Sequence, residues 1–409
     1  MGPAMVNLQD ILAARERIRG AIRPTPCPAS DYFKERTGCA AVWFKLENLQ
    51  RTGAFKERGA LNKLLTLTPE EKARGVIAAS AGNHAQGLAY HALRLGIQAT
   101  IVMPERTPLI KVSRTRDEYK AHVILKGTNF DESYAEALRL CEEQNLVFVH
   151  PFNDDHVIAG QGTIGLELLE QVPFMDMVVV PIGGGGLISG IACALKEANP
   201  RIQVVGVQTQ ALSSMKASID AGKVTEIAAG STMADGIAVR KPGDRTFAMV
   251  RKYVDEVVTV DEEEIANAIL LLLEQEKSVV EGAGAVGLAA LLNGRIPRAM
   301  GKNVVVLLCG GNIDMNVISR IIERGLVKAG RLVRLVVRLP DRPGMLALLT
   351  TQIAEQRANV VEIHHNRAFS KAGLGEAMVE VTLETTGRAH IQELIDGLGR
   401  QGWQVAEET

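Results

Sequence analysis

The chain has 409 residues, enough for two or three domains and a large buried core at about 100 to 200 residues per domain. Its 46 lysines and arginines against 47 aspartates and glutamates leave a formal charge of −1, so there is no basic field to hold nucleic acid or an anionic membrane. Five scattered cysteines (Cys27, Cys39, Cys141, Cys193, Cys309), an odd number with no CxxC pair, argue against a disulfide framework and point to a reducing cytoplasm.

The opening "MGPAM" has neither a basic n-region nor an apolar h-region and reads as a cloning remnant ahead of Met5. Strand-like apolar runs then alternate with helix-period segments: 76–79 into 83–95, then 99–102, 109–119, 122–125 and 129–144. Residues 177–195 are an uncharged run long enough to span a bilayer. Pro181 and four consecutive glycines break it, so it reads as strand 177–180, a loop and helix 187–198. Strand 204–207, helix 262–274, strand 304–308 and helix 315–324 follow. Valine-rich strands with helices between them predict a mostly parallel sheet covered on both faces, hence an α/β fold.

The pattern changes after Gly330. Segment 331–339 alternates apolar and polar residues, 345–356 has helical period, 360–369 and 377–383 read as strands, 391–398 is helical and 403–405 closes the chain. This βαββαβ order predicts a ferredoxin-like unit over residues 331–409.

Ligands of open α/β sheets gather where strand ends meet helix N-termini, because the backbone N–H groups there are unpaired. Four such turns are marked by glycine: "SAGNHAQG" at 80–87, "HPFNDDHVIAGQGT" at 150–163, "PIGGGGLISG" at 181–190 and "CGGN" at 309–312. Gly183, Gly184, Gly185 and Gly186 opening a helix offer a nest of N–H donors for a phosphate, although glycine also serves plain flexible turns. A dinucleotide fits poorly. The GxGxxG register meets Ser189 or Ile188 at its third glycine, and Gln208 stands about where an acid should take the ribose hydroxyls. No GxxxxGK[ST] is present, so the site asks for a single phosphate. One phosphate together with a lysine set among glycines, Lys56 in "TGAFKERGALN", raises pyridoxal phosphate, whose aldehyde needs an amine.

"GAFKERGA", "SAGNHAQG", "GGGGL" and "CGGN", in that order and at these spacings, resemble the threonine and serine dehydratases of the tryptophan synthase β-like class, the fold type II pyridoxal phosphate enzymes. The resemblance covers about residues 5–328 and implies a catalytic unit of two interleaved parallel-sheet α/β subdomains. The remainder, with "LPDRPGML" at 339–346, is similar to an ACT regulatory domain. Together they resemble threonine ammonia-lyases of the short form, and imply loss of water from L-threonine, and L-serine, to give a 2-oxo acid and ammonia.

Carried onto this sequence, the resemblance makes Lys56 the Schiff-base lysine and, once displaced by substrate, the base for the α-proton. It packs Phe55 beside the cofactor, sets Asn83 on the ring hydroxyl and gives the phosphate to Gly183–Gly186 and Leu187. Cys309 would face the pyridine nitrogen and Asn153 would lie near the ring. Ser80 and the turn through Ala81, Gly82, Asn83 and His84 would hold the substrate carboxylate. Read without the resemblance, Lys56 decorates a helix, Asn83 caps one, and Phe55 and Cys309 are core.

Two departures carry expectations. Position 81 is alanine where serine racemases of the class carry a second acid/base serine, so elimination is expected in place of racemisation. Those relatives bind a divalent cation through acids after the strand ending at Gln208; "QTQALSSMKAS" has none, so no metal site is expected. Three other readings stay open: a β-replacement synthase, a serine racemase, and a non-catalytic amino acid sensor built on the ACT unit. ACT units pair side by side and bind small amino acids, so a homo-oligomer, dimer or tetramer, and an effector such as isoleucine or valine are expected. Isoleucine comes first because threonine deamination opens its biosynthesis.

Overall fold

Short apolar runs form most of the strands, with helices between them along the chain. The computed structural model describes residues 5–367 and 373–408. The leading residues 1–4, the end of the expected strand 360–369 and the terminal Thr409 lie outside the described residues. The chain divides into two units, 1–313 and 314–409.

The first unit holds two parallel sheets. Its strands in chain order are β1 (Ala41–Lys45), β2 (Val76–Ala79), β3 (Ala99–Met103), β4 (His122–Leu125), β5 (Val147–Phe148), β6 (Met177–Pro181), β7 (Gln203–Thr209), β8 (Glu256–Val260) and β9 (Asn303–Leu307). One sheet runs β1-β9-β6-β7-β8 and the other β4-β3-β2-β5, with every neighbouring pair parallel. Strands β2, β3 and β6 are buried along their whole length, as expected of strands covered by helices on both faces.

The second unit contains β10 (Leu332–Pro340), β11 (Asn359–Asn366), β12 (Glu376–Glu384) and β13 (Gln404–Glu407) in the antiparallel order β11-β12-β10-β13. Helices Met345–Glu355 and Arg388–Arg400 cover one face. That face holds Val333, Leu335, Val337 and Leu339 of β10 against Ala377, Val379, Val381 and Leu383 of β12, the period-2 set visible in the sequence. This is the expected βαββαβ ferredoxin-like arrangement, and the whole is α/β with an antiparallel C-terminal sheet. Helix Met315–Lys328 groups with this second unit, so the division falls at 313/314.

Several elements escape a reading by periodicity. Strand β1 ends in Lys45, whose side chain is fully buried, and strand β5 is two residues long. Helix Gly282–Leu292, "GAGAVGLAALL", is buried almost all round, so it has no polar face to give it a helical period. The segment 109–119 is α-helical only over Leu109–Ser113. It continues as a π-turn over Arg114–Glu118 and ends with Lys120 in the left-handed region at φ 56°. Among the described residues no helix is long and apolar enough to cross a membrane, and the run 177–195 is strand β6, the glycine loop and helix Gly186–Ala198.

Candidate active site

In the first unit, chain segments at the C-terminal ends of β2, β6 and β9 converge on the start of helix Lys56–Leu65. The N–H of Phe55 donates to the carbonyl of Cys309 (3.0 Å) and that of Gly311 to Gly53 (2.8 Å), which pins the start of this helix to the end of β9. Phe55 is buried, with Lys56 Nζ 5.2 Å from its ring centre. Lys56 is half-buried, and its amine donates to the carbonyl of Pro151 (2.8 Å). Burial pushes the amine down to about 8, against the opposing pull of Cys309 and Glu281.

The turn that presents Pro151 is shaped by a histidine. His150 Nδ1 accepts from the N–H groups of Asn153 (2.8 Å) and Phe152 (3.2 Å), and burial followed by the Lys56 charge pushes this imidazole down to about 4. A neutral acceptor is therefore available over the physiological range. Asn153 itself reaches the region beside the glycine loop: its amide donates to Asp244 (2.7 Å) and accepts from the N–H of Arg245 (3.2 Å).

The glycine loop carries the most specific geometry. Ile182 N–H is taken by Val207 and Ser189 N–H by Gly185; among the described bonds, no backbone N–H between them has an acceptor. The loop has no room for side chains on its protein side. A Cβ on Gly184 would fall 2.4 Å from the Phe152 ring, and one on Gly185 would fall 2.7 Å from Met215. Gly185 also adopts φ 96°, where glycine alone is unstrained. A run of open N–H donors at the positive end of helix Gly186–Ala198 is the cradle a phosphate needs.

Between β2 and helix Asn83–Arg94 lies the turn of Ser80, Ala81 and Gly82, all partly exposed. Ser80 Oγ accepts from Gly82 N–H (3.2 Å), and a Cβ on Gly82 would meet nothing within 4 Å, so the turn faces open space. The ring of His84 lies inside the protein, with Nε2 on the Val149 carbonyl (3.0 Å) and its pKa pushed down to about 3 by burial and by Lys56. What His84 offers the turn is its backbone.

Cys309 is buried beside Lys56. Burial, reinforced by Glu281, lifts its thiol well above the usual range, so it is a neutral, weak hydrogen-bonding group. Gln208, one residue before the end of β7, is fully buried, donating to the Ile182 carbonyl (3.3 Å) and accepting from Lys216 N–H (2.9 Å).

Residues 18–310 match the family described as pyridoxal-phosphate dependent enzyme. The chain belongs to that family. It is 52% identical over 401 residues, 98% of this chain and 99% of the other, to the L-threonine ammonia-lyase of Thermotoga maritima. It is 46% identical over 317 residues to the L-threonine dehydratase catabolic TdcB of Escherichia coli K12, covering 77% of this chain and 96% of that one. Among solved structures, the processed form of threonine deaminase isoform 2 from Solanum lycopersicum superposes with a TM-score of 0.73 at 36% identity, covering 77% of this chain and 86% of that one.

The cofactor of this family, pyridoxal phosphate, fits the residues present. Open N–H donors suit its phosphate, the Lys56 amine its aldehyde, and the neutral Cys309 thiol an unprotonated ring nitrogen. Three further side chains that the sequence reading left without a role meet at the same place. Asn83 Nδ2 donates to Glu281 (2.8 Å), and Asn83 Oδ1 accepts from Asn312 Nδ2 (2.8 Å). Asn312 Oδ1 in turn takes Arg114 from the π-turn (3.3 Å). Asn312 was visible as the end of "CGGN", whereas Glu281 precedes a helix with no polar pattern and gave no signal of its own.

Proposed function

We propose that this chain is a threonine ammonia-lyase, a pyridoxal phosphate lyase that converts L-threonine to 2-oxobutanoate and ammonia, and L-serine to pyruvate and ammonia. The observation that carries the reading is Lys56, a half-buried amine at the start of its helix, bonded to Pro151 beside the Phe152 that backs the glycine loop, in a chain similar along nearly its whole length to an L-threonine ammonia-lyase. Bound cofactor supplies an aldehyde for the lysine and a ring that takes up the electron pair left when the α-proton departs.

The chain's own groups do the rest. Lys56, once free, takes the α-proton; its depressed pKa keeps a useful fraction unprotonated near neutrality. Asn83 would donate to the ring hydroxyl of the bound cofactor, and Gly183–Gly186 with Leu187 would hold its phosphate through their N–H groups. The Cys309 thiol stays neutral at the ring nitrogen, which suits elimination over transamination. Ser80 and the backbone of 81–84 orient the substrate carboxylate, and water is excluded on the buried side by Phe55. Loss of water across Cα and Cβ, followed by return of water at Cα, balances threonine against 2-oxobutanoate and ammonia.

Residues 5–328 form the catalytic part in this reading, and 331–409 form an ACT unit that binds a small amino acid, isoleucine or valine, between paired copies. The paired copies imply a dimer or tetramer, and the free thiols suit the cytoplasm. Support for pairing comes from β11, which stands at the end of the order β11-β12-β10-β13 among the described strands.

Lys56→Ala is the direct test. The variant should fold normally, lose the visible absorbance of the lysine-linked cofactor and lose nearly all turnover. Wild-type absorbance persisting in the variant would sink the assignment. Product analysis with L-threonine separates lyase from synthase, since a β-replacement enzyme releases no 2-oxobutanoate.

A further inference from the structure

Asn83 uses both ends of its carboxamide, and the two partners differ in kind. Asn312 Nδ2 donates to the Thr52 carbonyl (2.7 Å), a group that can only accept, so the Asn312 amide must face its nitrogen that way. Its remaining N–H then falls on Asn83 Oδ1 (2.8 Å), which turns Asn83 Nδ2 toward Glu281 Oε1 (2.8 Å). An ionised Glu281 is also an acceptor only. With a carbonyl at one end and a carboxylate at the other, every donor in the chain points one way, and one N–H of Asn83 is left unused.

We propose that Glu281 is a positioning residue: with Asn312, its carboxylate holds the Asn83 amide in the one orientation that presents an N–H to the ring hydroxyl of the cofactor. This rests on the pyridoxal phosphate reading of the site. Protonation weakens the arrangement, because a carboxylic acid can donate and the bond from Asn83 is no longer charge-assisted, so Asn312 alone still orients the amide.

Glu281 is placed to titrate. It is 4% exposed, at the N-terminus of the buried helix Gly282–Leu292, and its own N–H goes to the Gly310 carbonyl (3.0 Å). The charged and titratable groups facing it are Lys56 at the start of its helix, Cys309 after β9, Asp235 at the start of the short turn Asp235–Ile237, and Lys111 from helix Leu109–Ser113. Lys111 and Asp235 pair with each other (2.9 Å), so their effects on Glu281 largely oppose. Burial first, then Asp235, lifts the carboxyl to about 7. The orienting charge is therefore present above about pH 7 and lost below it.

The test is a pH titration of the visible band of the holoenzyme, with the rate at which that band is lost on dialysis as a second readout. In the wild type the band should change through about pH 7. In Glu281→Gln, which keeps shape and removes charge, that transition should vanish, cofactor loss should quicken by about tenfold, and kcat should fall more than KM rises. Asn312→Asp, which cannot donate to Asn83, should also quicken cofactor loss with Glu281 intact. If Glu281→Gln titrates and retains cofactor as the wild type does, the role of Glu281 is overturned while the site reading stands. If the wild type carries no Lys56-linked band at all, both fall.

Discussion

Lys56 begins its helix instead of riding on its face, and that placement gives the side chain a different environment from that of surface lysines. At a helix start the amine meets the ends of the neighbouring strands, where Pro151, Cys309 and Glu281 surround it. Ala81 matters in the same way, in the turn that follows β2. It packs against the core of the smaller sheet while remaining partly exposed, so a hydroxyl added there would reach the open turn with little disturbance. With one base only, wild-type enzyme should form no measurable D-serine from L-serine. Ala81→Ser should introduce some, and chiral chromatography of the reaction is the check. Rapid racemisation by the wild type would overturn the one-base argument. Lys56, Asn83 and the glycines were legible because rare chemistry coincides with a recognisable spacing. Glu281 was not, because a glutamate before a glycine and alanine helix looks like any other until the fold turns it inward.

The helix that starts at Lys56 is held by the two charges that follow the lysine. Glu57 accepts from Thr52 N–H (3.2 Å) and pairs with His91 Nε2 (3.0 Å), while Arg58 bridges Glu47 (2.8 Å) and Glu167 (2.5 Å). Lys45, at the end of β1, joins the same cluster through Glu167 (2.5 Å). Burial works against the Glu47 carboxylate, yet Arg58 and Lys45 hold it below the usual range, and Arg58 is raised in return despite its own burial. Removing one member leaves an uncompensated buried charge. Arg58→Ala should therefore cost about 3 to 5 kcal/mol of stability, read as a lower midpoint in denaturant unfolding. A loss below about 1 kcal/mol, within reach of an exposed pair, would show the cluster to be dispensable. "KER" alone suggests a solvated face, and only the packing of helices Asn83–Arg94 and Asp155–Gln171 against this helix makes both charges structural.

At the scale of the molecule, two units with different sheets lie along one chain. If the second unit binds an amino acid, the ligand must prefer one arrangement of the oligomer, since only differential affinity shifts a conformational equilibrium. A chain ending at residue 328 should keep threonine turnover and lose the response to isoleucine or valine, a coupling of about 1 to 3 kcal/mol. Assays of both chains across the branched-chain amino acids decide this; identical kinetics with and without the segment would reduce it to a scaffold.

The sequence by itself determined the parallel α/β class, the antiparallel C-terminal unit, the glycine loop and the lysine, because each is written in local spacing: uncharged runs, period-2 alternation, consecutive glycines. The tertiary structure decided which charges are buried and which amides face each other. Glu281 is separated from Asn83 by 198 residues and Arg58 from Glu167 by 109. Those contacts exist only once two sheets and the helices between them have closed. Burial and polarity then act through neighbours that no local pattern can name, and a carboxyl lifted to about 7 or an amine lowered to about 8 is a property of that enclosure, not of the residue.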